Sequence, residues 1–561
     1  MSDPADIWRS AYQHPTGWDQ DFAPLSLPDM FAASARRDPT APLIDFMGRK
    51  FSYAEVGGAI DRVACGLAAM GVEKGTRIGL FLPNVPHYVA AYYGVLKLGA
   101  IVVNFSPLYS VAELTDQVAD SGTRILFTVS AQALLPTALE VMEMTRLERL
   151  IVGSVAGGLP AAKSMLYRLF KKREIAERPI DPKVVAFSRL IANDGVCRTP
   201  PIDPANDIAL IQYTGGTTGT PKGAMLTHQN LTANARQIDA IDPDPAATDR
   251  IVAVLPLFHV FANTCVLNRT VKRGGEMVLL PRFDPAQTLA AIERTKATSL
   301  PGVPTMYQAL LAHSKIAEAD LSSLRICISG GAPMPVDIKR RFEEKTGARL
   351  VEGYGLTESS GVVSSNPYEG ADRTGTIGQP LPATRVTLID KEDPTSAAAP
   401  GEPGEMVISG PQVMKGYWNK PEADAEVFVP GGLRTGDIGV IDEDGYIRIV
   451  DRLKDMIAVS GFKVFPSQIE AMLYQHEAVR EALVIGIADA YAGERPKAFV
   501  TLNPGAEITP EALMHWLNQG VGKSERVVAI EIRDSLPKTM IGKLSRKELQ
   551  AEERAKAATA A

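Results

Sequence analysis

Short apolar runs alternate with helix-like stretches along most of this chain, and the alternation begins at a clear start signal. In Phe51-Ser-Tyr-Ala-Glu55 a serine stands three residues before a glutamate. That capping box opens a helix with Ser52 as its cap, and Gly71 marks the helix end. A strand-like run over 77–82, a helix-like stretch over 85–98 and a second strand-like run over 100–103 follow. Such β-α-β alternation predicts an α/β fold of layered subdomains with largely parallel sheets. The pattern recurs over 251–349, where 276–280, 299–300 and 324–329 read as strands between amphipathic helices. From 375 to 449 the runs shorten and turn signals crowd in, among them Pro400-Gly401, Pro403-Gly404 and Asp444-Gly445. This texture predicts a small β-rich subdomain. After the charged element Asp451-Arg-Leu-Lys-Asp455 the α/β pattern returns, with a helix over 466–474, a strand over 482–487 and a helix over 510–518. The domain boundary is placed at that element, dividing residues 1–452 from a small α+β domain over 453–561.

Composition narrows the picture. A chain of 561 residues is too long for one core. With 45% hydrophobic and 22% charged residues it is an ordinary globular protein. The 59 basic residues are outnumbered by 65 acidic ones, for a net charge of −6. No global field therefore recruits nucleic acid, and any phosphate binding has to be local. The four cysteines, Cys65, Cys197, Cys265 and Cys327, are far apart and lack metal spacing. They are expected to be reduced, buried thiols of a cytosolic protein. The N-terminus lacks a basic region followed by an apolar core, so no secretory signal is expected. Apolar stretches such as 252–261, broken by Pro256 and His259, are too short to span a bilayer. A cytoplasmic protein follows, soluble or peripheral on the membrane face, with a homodimer left open.

One segment fits two readings. Over 160–173, Met165, Leu166, Leu169 and Phe170 form an apolar stripe, while Lys163, Arg168, Lys171, Lys172 and Arg173 crowd the other side. The favoured reading is a basic helix packed on its own domain. The competing one is a helix lying on an anionic membrane surface.

The chemistry is concentrated in Tyr213-Thr-Gly-Gly-Thr-Thr-Gly-Thr-Pro-Lys222. A short buried strand over 207–213 leads into Gly215, Gly216 and Gly219, which let backbone N–H groups approach an anion. Thr214, Thr217, Thr218 and Thr220 add hydroxyls, and Lys222 adds a mobile point charge. Together they suit a polyphosphate. The run is not a Walker A loop, and Gly520-Val-Gly-Lys-Ser524 fails that pattern too, because Leu517 stands where its first glycine belongs.

Read with its flanks, this run resembles the phosphate loop of the adenylate-forming superfamily, which includes acyl-CoA synthetases, luciferases and peptide-synthetase adenylation domains. Three further blocks match in the same order: Glu352-Gly-Tyr-Gly-Leu-Thr-Glu358, then Arg434-Thr-Gly-Asp-Ile-Gly439 with Ile449-Val-Asp-Arg-Leu-Lys-Asp455, and Leu536-Pro-Lys-Thr-Met-Ile-Gly-Lys-Leu544. The resemblance implies ATP, Mg2+ and coenzyme A as partners of an acid substrate activated as acyl-AMP. It assigns Glu358, with Thr214, to Mg2+, and Thr357 to an α-phosphate oxygen. Tyr354, between Gly353 and Gly355, would stack on adenine, and Gly331, Ala332 and Pro333 would approach the base. Asp437 and Arg452 would hold the ribose, and His259 would line the acyl pocket. Lys543 would serve the adenylation step, while Gly461, Phe462 and Lys463 would line the channel for the pantetheine arm after the C-terminal domain turns about Lys454.

The blocks Gly410-Pro-Gln-Val-Met-Lys-Gly-Tyr-Trp418 and Ser460-Gly-Phe-Lys-Val-Phe-Pro466, with the basic segment, look most like bacterial long-chain fatty acyl-CoA synthetases. A ligase for medium-chain or aryl acids is the alternative, and a non-catalytic fatty-acid-binding or uptake partner is the alternative of another class. Val521-Gly-Lys-Ser-Glu-Arg-Val527 and Gly493-Glu-Arg-Pro-Lys497 depart from the family pattern, which leaves contacts to the nucleotide of coenzyme A unassigned.

Overall fold

The computed structural model describes residues 6–214, 221–247, 249–370, 373–390, 396–399, 401–460, 462–489, 491–539 and 544–560. By internal packing the chain falls into two units: Met1–Arg385 with Ser409–Leu433, and Val386–Ile408 with Arg434–Ala561.

The first unit is built on two mixed sheets whose parallel strands are joined by helices. The expected capping box is present. Ser52 Oγ accepts from Glu55 N and the Glu55 carboxylate accepts from Ser52 N, opening the helix Tyr53–Ala69, with Gly71 at φ 78° just beyond it. Such a cap contributes about 1 kcal/mol. Strand Arg77–Leu80, helix Pro86–Lys97 and strand Ile101–Asn104 follow, the two strands in parallel register. Every residue of Ile101–Asn104 and of its sheet-mate Ile125–Val129 is buried, as parallel strands covered on both faces require. The eight-stranded sheet turns antiparallel at its end, where Ile208–Thr214 pairs with Lys222–Thr227 and that strand pairs with Gly416–Tyr417. The nine-stranded sheet carries Arg250–Ala253, Glu276–Leu279, Ser299–Gly302, Ile326–Gly330 and Arg349–Tyr354, all parallel. Leu300, Cys327, Leu350, Tyr307 and Phe342 form its apolar core, the last two rings meeting edge to face at 4.9 Å.

The second unit contains two smaller sheets. Strands Arg385–Ile389, Gly404–Ser409, Gly432–Ile441 and Ile447–Arg452 form the β-rich part expected between 375 and 449. The other sheet sets the long antiparallel pair Val479–Asp489 and Gly493–Leu502 beside Ile457–Val459, Phe462–Val464 and Ala529–Ile532. Helices Pro466–Leu473, Pro510–Gly520 and Arg546–Ala560 accompany it, and Leu473, Val484, Val500, Leu513 and Leu517 fill its core. The second strand of the long pair, over 493–502, was not foreseen. Charged residues among its apolar positions hide the period, and its identity comes from the partner strand.

Two sequence-based expectations are corrected here. Cys65 and Cys197 are not reduced thiols but form a disulfide, while Cys265 and Cys327 are free and buried as expected. The partners lie 132 residues apart and their Cα atoms are 5.4 Å apart. The intervening chain folds back along the helix Tyr53–Ala69, where Asn193 Nδ2 donates to the carbonyls of Arg62 and Leu190. No local pattern in the sequence announces that return. Second, the basic segment forms the helix Ala161–Phe170 but does not pack its stripe on its own domain, for none of its residues is buried. Among the described residues no helix is long and apolar enough to cross a membrane.

Candidate active site

In the first unit, parallel strands Ile326–Gly330 and Arg349–Tyr354 run side by side with Gly330 opposite Gly353, so the loops after them leave the same sheet edge together. Open α/β sheets place their ligands at such carboxyl ends. Gly331 takes up φ 86°, a left-handed conformation that favours glycine, and the loop is then fastened by Met334 N donating to Glu352 Oε2 at 3.0 Å. Ala332 and Pro333 therefore stand at the edge beside Tyr354. After Tyr354, a Cβ on Gly355 would collide with the carbonyl of Gly361, so glycine is required for the chain to double back there.

The doubling back produces a one-turn 3-10 segment, Thr357–Ser359. Leu356 N donates to Ser359 Oγ at 3.0 Å, Ser360 Oγ donates to the Gln412 carbonyl at 2.9 Å, and Met414 N donates to the Glu358 carbonyl at 2.8 Å. Thr357 and Glu358 are thus held by bonds to segments on both sides, each half-buried. Glu358 Oε1 accepts the Tyr417 hydroxyl at 2.7 Å. Burial, and then the neighbouring Glu358 charge, push the Tyr417 phenol well above its ordinary value, so it stays a donor.

Tyr417 connects this turn to the phosphate-loop strands. It sits on Gly416–Tyr417, paired with Lys222–Thr227, and the Lys222 ammonium lies 5.3 Å from its ring centroid. Thr214 and Lys222 face each other in register across the base of the hairpin, and Lys222 Nζ is 3.9 Å from Glu426 Oε2. His259 caps the short helix Val260–Ala262, its Nδ1 accepting from Phe261 N at 3.3 Å. Thr264 Oγ1 donates to the Ser360 carbonyl, which brings the His259 segment against the Glu358 turn. Thr214, Lys222, His259, Gly331 to Pro333 and Gly353 to Glu358 are therefore gathered within one unit. Tyr417 joins them; the sequence showed it inside the block ending at Trp418 but gave no sign of its partner. Gly215, Gly216, Thr217, Thr218, Gly219 and Thr220 lie outside the described residues.

The second unit holds the remaining candidates. Glu405 fixes the turn before Asp437 by accepting from Arg434 and from Gly436 N, and Gly436 takes φ 72°. Asp437 is buried and opposite Arg452 in register, with Oδ1 2.9 Å from Arg452 Nε. The two residues expected to share a sugar are thus neighbours and balance each other's charge. Lys454 stands exposed in the turn after Arg452, and Lys463 is exposed on the strand Phe462–Val464. Gly461 and Lys543 lie outside the described residues.

Among the described residues no cluster of three or more His, Cys, Asp or Glu side chains could cage a metal. A single fixed carboxylate such as Glu358 fits an ion of the Mg2+ type, which keeps its waters and is brought in largely by substrate phosphates.

The description "AMP-binding enzyme" matches residues 31–418, and "AMP-binding enzyme C-terminal domain" matches residues 468–543. The chain is 40% identical over 550 residues to a long-chain-fatty-acid–CoA ligase of Bacillus subtilis (strain 168), covering 97% of this chain and 98% of that one. It is 36% identical over 517 residues to a feruloyl-CoA synthase of an Amycolatopsis species, covering 92% and 96%. The crystal structure of ATP-bound MatB from Rhodopseudomonas palustris superposes with a TM-score of 0.82 at 29% identity, covering 94% of this chain and 99% of that one. With both halves matched and the site motifs standing on the elements described, the chain belongs to the AMP-binding enzyme family, the adenylate-forming enzymes.

Proposed function

We propose that this protein is an AMP-forming acid–thiol ligase that joins a long-chain fatty acid to coenzyme A at the expense of ATP. The observation that carries the reading is the identity to the Bacillus ligase along nearly the whole of both chains. A carboxylate oxygen is a poor leaving group. In the first half-reaction the carboxylate attacks the α-phosphorus of ATP, the bond to pyrophosphate breaks, and an acyl-AMP anhydride forms. In the second, the thiol of coenzyme A attacks the acyl carbonyl and AMP leaves, giving the thioester. Both steps need positioning and charge stabilisation rather than a protein nucleophile.

In this reading Thr214 to Thr220 and Lys222 hold the polyphosphate, Thr357 donates to the α-phosphate and Glu358 holds Mg2+, which neutralises phosphate charge when bound. Tyr354 and Gly331 to Pro333 receive adenine, Asp437 and Arg452 the ribose, and His259 lines the acyl pocket. Lys543 serves the first half-reaction. Gly461, Phe462 and Lys463 serve the second, after residues 453–561 pivot at Lys454. Peripheral contact with the membrane face belongs to the same reading, since long acyl chains partition into bilayers.

Pyrophosphate release from the purified protein tests this, measured with straight-chain acids of increasing length and an aryl acid, with and without coenzyme A. Release should rise with chain length, by up to about fourfold in affinity per buried methylene. Preference for the aryl acid would support the second reading, which the feruloyl-CoA synthase relative favours. No release with any acid would leave a non-catalytic binder.

A further inference from the structure

The hairpin that presents Thr214 and Lys222 is gripped from outside by a residue that belongs to no motif. Tyr213 and Gly223 face each other in register immediately below the pair Thr214 and Lys222. On one strand, the Tyr213 hydroxyl donates to Asp120 Oδ2 at 2.5 Å. On the other, the Gly223 carbonyl accepts from Trp418 N at 2.7 Å, and Trp418 Nε1 donates to the Asp120 carbonyl at 3.2 Å. Asp120 thus holds both arms of the hairpin, one by its carboxylate and the other by its backbone through Trp418.

Nothing local recommends an acid at this position. Asp120 stands in the last turn of the helix Val111–Ser121, which Gly122 closes at φ 63°. A carboxylate there meets the negative end of the helix dipole, so its partner has to come from elsewhere in the fold. Tyr213 is that partner. Burial, and then the bond to Asp120, push its phenol well above the ordinary value, so it stays a donor. Trp418 is steadied in turn by Arg77, whose guanidinium carbon lies 5.6 Å from the indole centroid and whose Nε donates to the Ser121 carbonyl at 3.0 Å. The end of one helix therefore carries the whole brace.

We propose that Asp120 is a positioning residue that holds Thr214 and Lys222 at the spacing a nucleoside triphosphate requires. The inference rests on the ligase reading, which gives these two residues to the polyphosphate. A brace at the base of the hairpin serves the β- and γ-phosphates and does nothing for AMP, whose single phosphate falls to Thr357. Losing the brace should therefore weaken triphosphate binding selectively.

Calorimetric titration of the full chain with ATP and with AMP, each in the presence of Mg2+, tests it. The Asp120 side chain is exposed, so its substitution leaves the core intact. Asp120→Ala and Tyr213→Phe should each raise the Kd for ATP about tenfold, the effect of losing a hydrogen bond to a charged acceptor, and leave the Kd for AMP unchanged. The double variant should stay at about tenfold, because both changes remove the same bond. Asp120→Asn keeps an oxygen that can accept from Tyr213 and should retain more ATP affinity than Asp120→Ala. Unchanged ATP binding by Asp120→Ala overturns the proposal, as does a parallel loss of ATP and AMP affinity or a loss of about a hundredfold in the double variant. An unmodified chain that binds no ATP would defeat the ligase reading itself, and this proposal with it, before any substitution is made.

Discussion

Tyr417 is the side chain through which the candidate site is organised in the first unit. Its hydroxyl fixes one oxygen of Glu358, and its ring lies beside Lys222. If Glu358 orients a metal-bound phosphate, losing this bond leaves the carboxylate free to turn. A hydrogen bond to a charged acceptor contributes about 1.5 kcal/mol in a partly buried setting, so Tyr417→Phe should slow acyl-AMP formation roughly tenfold. It should also raise the Mg2+ concentration needed for half-maximal rate, while supplied acyl-AMP is still converted to thioester. Glu358→Gln should be the more severe change, by about a hundredfold or more. Pyrophosphate exchange titrated with Mg2+ measures both, and a Tyr417→Phe defect indifferent to Mg2+ would show that the tyrosine does not act through Glu358. Sequence motifs disclosed Thr357 and Glu358 because their neighbours along the chain form a recognisable block. The Tyr417 contact crosses 59 residues and had no such signal.

At the scale of elements, the second unit is tied together by Arg546, at the start of the helix Arg546–Ala560. Its guanidinium bridges both Glu470 oxygens at 2.6 Å, reaches Asp455 at 3.3 Å and donates to the Val484 carbonyl at 3.1 Å. Three segments thereby meet: the turn after Lys454, the helix Pro466–Leu473 and the strand Val479–Asp489. Burial pushes the Glu470 carboxyl up to about 7, with Arg546 opposing the rise. A carboxyl raised from its ordinary 4.5 contributes stability that is fully present below that value and is lost as pH rises through the folded value. Removing Arg546 raises the folded value further and extends the loss to higher pH. Arg546→Met should therefore destabilise the second unit by about 3 kcal/mol near neutral pH, with a larger deficit at pH 8 than at pH 6. Denaturant unfolding followed by a fluorine label on Trp516, the sole tryptophan of that unit, reads this out. A deficit that does not change with pH would remove Glu470 from the account. The helix Pro466–Leu473 and the strand Val479–Asp489 were legible from their periods, since apolar spacing records which face is covered, whereas the helix Arg546–Ala560 was not read from the sequence. The junction itself was not, because a charged residue near a helix start looks the same whether solvated or bridging.

For the whole molecule, the proposed two-step chemistry implies that two surfaces of one domain act in turn. Lys543→Ala should lose about 3 kcal/mol of transition-state stabilisation, a hundredfold or more in acyl-AMP formation, yet still convert supplied acyl-AMP. Gly461→Leu should do the reverse, forming acyl-AMP but failing at the thioester. Measuring the two half-reactions separately decides, and equal failure of both variants in both steps would end the two-orientation proposal. The sequence by itself determined the α/β layering, the β-rich insertion, the start of the helix Tyr53–Ala69 and the family. Each of these is written in neighbouring residues through apolar period, capping or motif. Tertiary structure alone decided the joining of Cys65 to Cys197, the outward turn of the stripe from Met165 to Phe170, and the partnership of Tyr417 with Glu358. These depend on which distant segment arrives beside a given side chain, and that is settled by the packing of every element between them rather than by anything local.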